Sequence, residues 1–211
     1  MTIAVIAANG RSGSEFVRIA LEQGLDVRAG VKGESHLVPH ERMVVVPCDA
    51  TNRDEVRALL EGSDAVVSMI GHGRQSPARV QTDAMKVIVD VMHELKITRL
   101  VSLTGTGVRF PGDKPSLVDY LANFAIRVID PNRVQDGIDH ARLLEATDLE
   151  WTILRVLKLG NGEHKGMVKL TPTGPAELLT PRSRAAAAAL QVITDASYVR
   201  QAPVISGYTK L

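Results

Sequence analysis

The chain has one cysteine, Cys48, so no intramolecular disulfide braces it, and a lone thiol closing an apolar run reads as packed rather than reactive. Aromatic residues make up 3% of its 211 residues, too few for a platform on which bases stack. With 25 Lys and Arg against 24 Asp and Glu, no field of one sign draws the protein to nucleic acid or to an anionic membrane. The opening apolar stretch ends at Asn9 and Gly10, and no later run approaches membrane-spanning length. The expected partner is therefore a small molecule, with no nucleic acid and no membrane, and the expected location is the cytoplasm. His36 and His40 stand at i, i+4, but Pro39 interrupts them and no H-E-x-x-H acid accompanies them, so no metal site is expected.

What the sequence does have is alternation of strand and helix. Ile3 to Gly13 reads as a short strand, a turn of small residues and the start of a helix that continues from Ser12 to Gln23 and stops at Gly24. Further apolar runs of strand length are Val27 to Val31, Met43 to Pro47, Ala65 to Ile70, Arg99 to Thr104, Trp151 to Val156 and Ala202 to Ser206. Their lack of polar alternation predicts parallel strands covered on both faces. Helices are predicted from Asn52 to Leu60, capped by Thr51 or Asn52, and from Ser76 to Leu95, Ser116 to Val128 and Pro131 to Thr147. A last helix from Pro181 to about Ile193 takes Thr180 as its cap, and its alanines at 185 to 189 permit close helix-on-sheet packing. The fold class is α/β, a doubly wound parallel sheet of Rossmann type, with residues 1–211 as one domain. Residues 157–180, rich in Gly, Pro and Lys, are expected to form an irregular or hairpin segment over the cleft. The apolar faces of Ser76 to Leu95 and Ser116 to Val128 serve either core packing or subunit contact, and a homodimer is one arrangement they allow.

Ligands of such sheets lie beyond the carboxyl ends of the strands, so the residues after each strand are the candidates. After the first strand come Asn9, Gly10, Arg11, Ser12 and Gly13. Glycines let the backbone turn tightly toward a pyrophosphate while the next helix offers free N–H groups and its positive end. Ala7 occupies the place of the first glycine of a G-x-x-G-x-x-G turn, and its methyl is expected to keep φ negative. After the second strand comes Lys32 rather than an acid, which either, with Arg11, offers charge to a 2′-phosphate and favours NADP over NAD, or is a solvated residue ending the strand, partly neutralised by Glu34. Asp49, followed by Ala50, is placed either to accept from an adenine amino group or to serve the helix beginning near Thr51. Gly71-His72-Gly73 passes beside the cofactor, with His72 either a solvated turn residue or a proton donor. After the fifth strand, Thr104 and Thr106 either orient the nicotinamide or cap the strand end.

These residues resemble a family. Ala7-Ala8-Asn9-Gly10-Arg11-Ser12-Gly13, Val31-Lys32, Asp49, Gly71, Ser102-Leu103-Thr104 and Asp148-Leu149-Glu150-Trp151-Thr152-Ile153-Leu154-Arg155 are similar to the atypical short-chain dehydrogenase/reductases with an NAD(P)H-binding domain, above all the flavin reductase/biliverdin-IX-beta reductase and NmrA-like group. The resemblance covers nearly the whole chain and implies a Rossmann-like fold, an NADP cofactor and reductase chemistry. The chain departs from the family at Ala7, at Val156 in place of a proline, at Gly105 in place of a serine, and at Asp136-Gly137, where relatives often carry Asp-His or Asp-Lys.

The superfamily's Tyr-x-x-x-Lys pair is missing: four residues after Tyr120 stands Phe124, after Tyr198 stands Ala202, and Tyr208 is near the C-terminus. That pair is an acid for ketone reduction, a role worth a factor of about 10² to 10⁴ in rate. A flavin or quinone accepts hydride on a conjugated ring and takes its proton from water, so an NADPH-dependent reductase of such an acceptor is expected, with His72 or His140 as proton-donor candidates. A non-catalytic NADP(H) sensor is the alternative. A sugar-nucleotide epimerase or dehydratase fits less well, because the substrate region is short and the Tyr-Lys pair absent.

Overall fold

The structure, a computed structural model, describes residues 1–73 and 75–209; residues 74, 210 and 211 of the expected 1–211 unit lie outside the described residues. The first half runs β1 (Thr2–Ile6), α1 (Arg11–Glu22), β2 (Asp26–Val31), β3 (Met43–Pro47), α2 (Arg53–Leu60), β4 (Ala65–Ser68), α3 (Val80–Leu95) and β5 (Arg99–Gly105). The second runs α4 (Leu117–Ile129), α5 (Pro131–Glu145), β6 (Glu150–Val156), β7 (Leu159–Gly160), β8 (Met167–Thr171), β9 (Thr180–Pro181), α6 (Arg182–Thr194) and β10 (Val204–Thr209).

Eight strands form one sheet in the order β3-β2-β1-β4-β5-β6-β10-β8, all parallel except β8, which pairs antiparallel with β10. This is a Rossmann-like α/β fold. Chain direction across the sheet reverses between β1 and β4, which opens a crevice beyond their carboxyl ends. Alternation along β1 builds both cores. Ile3 and Val5 join Phe16, Val17 and Ala20 of α1 and the buried alanines of α6, whereas Ala4 and Ile6 join Leu59 and Leu60 of α2 and Met85, Ile88 and Met92 of α3. Ala185, Ala186, Ala188 and Ala189 are fully buried, so their small size sets how closely α6 approaches.

Several sequence expectations change. Residues 157–180 are largely irregular, yet they also contribute β8 to the main sheet, and β7 forms a small parallel ladder with β9. Thr180 does not cap α6, because it lies in β9 with its N–H bonded to Lys158 O, and Pro181 takes the N-cap position without a side-chain bond. The helix expected from Ser76 begins at Val80, and β3 is an edge strand with exposed Val44 and Val45, not one covered on both faces. Asn52, rather than Thr51, caps α2, accepting from the N–H groups of Asp54 and Glu55. Cys48 is buried, and burial pushes its thiol up to about 12, which suits the packed role.

The glycine turn departs most informatively. Ala7 adopts φ +59°, against the expected negative value, and its carbonyl accepts the Gly10 N–H at 3.0 Å. A Cβ on Gly13 would lie 2.2 Å from that same carbonyl oxygen, so α1 starts against the turn only if residue 13 is glycine. The alanine methyl in a left-handed conformation costs about 1 kcal/mol. Ala7→Gly should therefore raise stability by roughly 0.5–1 kcal/mol, and Gly13→Ala should lower it by about 2 kcal/mol or more, both read by urea unfolding.

Candidate functional site

Beyond the carboxyl ends of β1 and β4, at the switch point of the sheet, stand the glycine turn and the start of α1. Every helix leaves first-turn N–H groups without an internal partner. In α2, α4 and α5 a side chain satisfies some of them, from Asn52, Ser116 and Asp130. In α1 the N-cap is Gly10, with no side-chain bond, so the first turn presents its donors and its positive end outward over Arg11, Ser12 and Gly13. Asn9 steadies the turn from its other side: its Nδ2 donates to Glu34 O at 2.8 Å and its Oδ1 accepts the His36 N–H at 2.8 Å. The glycine turn and the loop after β2 are thereby held together.

Beyond β2 and β3 the charges pair. Lys32 Nζ lies 2.6 Å from Asp49 Oδ2, with the lysine side chain 77% exposed. Asp49 Oδ1 also accepts from the N–H and Oγ1 of Thr51, at 3.0 and 2.7 Å. The Lys32 ammonium first, and the Thr51 donors next, hold the Asp49 carboxyl down at about 2. Asp49, and not Glu34, is thus the group that neutralises Lys32, and its Thr51 bonds shape the entry to α2. Ala50 packs against the α2 and α3 side of the core. Arg11 is exposed, and its charge, after burial, helps hold the Arg182 guanidinium below its ordinary value. Arg182 opens α6 and donates to Asn161 Oδ1 at 2.8 Å, so a second cation, unanticipated from sequence, stands near the first turn of α1.

The loop after β4 is pinned rather than free. Gly71 is exposed, and a Cβ there would meet nothing within 4 Å. His72 is not a solvated turn residue: its side chain is 8% exposed and its Nε2–H donates to Asp136 Oδ2 at 2.8 Å. Asp136, from α5, also accepts the N–H groups of Gln81 and Thr82 at 2.8 and 2.9 Å and the Thr82 hydroxyl, so a residue of one helix caps the start of another. Gln81 in turn donates from Nε2 to Ile70 O at 2.8 Å and Leu103 O at 3.1 Å, which ties together the ends of β4 and β5.

The remaining candidates are enclosed. Thr106 is fully buried, its hydroxyl donating to Asp119 Oδ1 at 3.0 Å and accepting from Asn123 Nδ2 at 3.0 Å. That geometry fastens the loop after β5 to α4 and leaves the hydroxyl no share in orienting a nicotinamide. Thr104 is buried against α5, where a Cβ on Gly137 would stand 2.8 Å from its Oγ1. The glycine found in place of the family's basic residue is therefore what makes room for Thr104. Val156, the family's proline position, continues β6 and accepts the Thr106 N–H at 2.9 Å. Arg155 is wholly buried: it donates to Ala202 O at 2.7 Å and Val108 O at 3.2 Å, pairs with Asp113 and stacks on Phe110 at 4.9 Å. It fixes the loop beyond β5 from beneath.

His140 is withdrawn from acid chemistry by its surroundings. It is fully enclosed, its Nδ1 lacks a hydrogen-bond partner among the described residues, and burial, partly offset by Asp136, pushes its imidazole down to about 4. It is neutral at neutral pH and has no imidazolium proton to give. Because the unfolded imidazole binds a proton near 6.5, its contribution is present above that pH and is lost as pH falls toward about 4. Over that window wild type should lose about 1.4 kcal/mol per pH unit through this group, a slope that His140→Leu should flatten in urea unfolding at pH 7 and pH 5.

The chain matches the NAD(P)H-binding family over residues 7–196. Among curated proteins it is 25% identical over 128 residues to Protein TIC 62, chloroplastic, of Arabidopsis thaliana, a match that takes in 49% of this chain and 20% of that protein. Its fold superposes on the oxidoreductase ylbE from Lactococcus lactis with a TM-score of 0.83 and 15% identity, covering 100% of this chain and 93% of that one. It superposes likewise on a short-chain dehydrogenase/reductase from Veillonella parvula, solved in complex with NADP, with a TM-score of 0.81 and 17% identity over 98% of this chain and 94% of that one. At these identities the structural likeness is one of fold. The family match spans the glycine turn, the paired charges beyond β2 and β3 and the pinned loops after β4 and β5, and on that match the chain belongs to the NAD(P)H-binding family.

Proposed function

We propose that the protein is an NADPH-dependent oxidoreductase that transfers hydride to a conjugated acceptor, a flavin or a quinone, and leaves the acceptor to take its proton from water. The observation that carries this reading is the state of the candidate donors. The Thr106 hydroxyl is spent on Asp119, His72 is bonded to Asp136, and His140 is neutral. Reduction of an isolated ketone without a positioned acid forgoes a factor of about 10² to 10⁴. A conjugated ring spreads the incoming charge and needs only to be held against the reduced nicotinamide.

Bound NADPH supplies the hydride, and the chain's residues hold it. Arg11, Ser12 and Gly13 present the first turn of α1 to the pyrophosphate, while Asn9 keeps the loop after β2 against that turn. Lys32 and Arg11 are the cations for a 2′-phosphate. Asp49 competes for Lys32 and so lowers the preference for NADPH over NADH without abolishing it.

Purified protein should oxidise NADPH, followed at 340 nm, with riboflavin, FMN or a benzoquinone above a buffer blank. Cofactor binding with no turnover on any of them would overturn the reductase reading and favour a sensor. Lys32→Glu should weaken NADPH by about tenfold or more while leaving NADH within a few-fold, as expected for loss and reversal of one charged contact. Equal losses would remove Lys32 from the 2′-phosphate. Asp49→Asn, which frees Lys32 yet still accepts from Thr51, should tighten NADPH a few-fold and leave NADH unchanged.

A further inference from the structure

Helix α4 is turned inside out. A surface helix ordinarily hides its apolar stripe and shows its charges. Here Asp119 is the buried residue, 2% exposed, while Leu117, Phe124 and Val128 are 73%, 63% and 67% exposed, with Leu121 beside them. The polar side is used internally, since Asp119 and Asn123 clamp Thr106 and Arg109 of the preceding loop. By contrast, the apolar face of α3 is buried in the core as a packing role requires.

We propose that the outer face of α4 is the interface between two copies of this chain, joined by antiparallel pairing of their α4 helices. Leu117, Leu121, Phe124 and Val128 are spaced four, three and four residues apart, a spacing that reads the same in both directions. A two-fold axis at its centre sets Leu117 opposite the partner's Val128 and Leu121 opposite the partner's Phe124, the alternation of an antiparallel coiled-coil seam. Tyr120 and Arg127, seven residues apart on one edge, then meet across the axis, and each Arg127 lies over the partner's Tyr120 ring. Leu117, Leu121, Phe124 and Val128 lie side by side and mostly exposed, a contiguous apolar face of the kind that marks an interaction site.

A lipid surface is the poorer occupant. An interfacial helix carries Lys and Arg on its polar face, and the polar face of α4 is turned into the protein and carries Asp119 and Asn123.

Sedimentation at tens of micromolar should give twice the 22.8 kDa chain mass, and Phe124→Glu should give the monomer with an unchanged circular dichroism spectrum. An equal mixture of the single variants Leu121→Cys and Phe124→Cys should yield a covalent dimer on mild oxidation, because each chain then carries one surface thiol and Cys48 is buried. A wild-type monomer at every concentration would overturn the proposal, as would a dimer that survives Phe124→Glu and fails to cross-link. A monomer that binds vesicles of anionic phospholipid would overturn it in favour of a membrane surface.

Discussion

The carboxylate of Asp136 sits where α3, α5 and the loop after β4 meet, and it accepts from His72, from two backbone N–H groups and from the Thr82 hydroxyl. Buried and without solvent, such a group is tolerable only when its lone pairs are met, and here the partners come from segments far apart in the chain. Removing it would leave the start of α3 without its cap and His72 without its partner. Through this one carboxylate the start of α3, α5 and the loop after β4 are joined.

Such pairing narrows the chemistry. The three candidates near the carboxyl end of β5 each meet a neighbour: Thr106 bonds Asp119, Thr104 lies against Gly137 and His72 bonds Asp136. The cofactor side is the reverse, with an uncapped α1 and exposed Arg11 and Lys32. A site that offers positive ends to phosphates and, among the candidate donors described, only His72 already bonded to Asp136, suits hydride transfer onto an acceptor that manages its own protonation.

The sheet was legible because its runs of Val, Ile and Leu and the 3.6-residue periods between them are local signals. β8 was not, since a five-residue edge strand of mixed polarity looks like loop until its pairing with β10 is known. The glycine turn was legible in composition but not in conformation: the sequence shows a methyl at Ala7, and only the structure shows φ +59° there. Thr104, Thr106 and His72 read as open candidates because their partners cannot be inferred from neighbours in sequence. Asp119 stands 13 residues from Thr106, and Asp136 stands 64 from His72. Helix α4 misleads for a related reason, since periodicity reveals an apolar face but not the direction in which the fold turns it.

Transfer without a built-in acid is the central claim, and isotope effects on a single turnover test it most directly. Stopped-flow oxidation of NADPH by a quinone should slow when the transferred hydrogen at C4 is deuterium and remain unchanged when the solvent is D₂O. A solvent effect as large as the C4 effect would place a proton in flight in the same step, and with it a donor that the crevice would then have to contain.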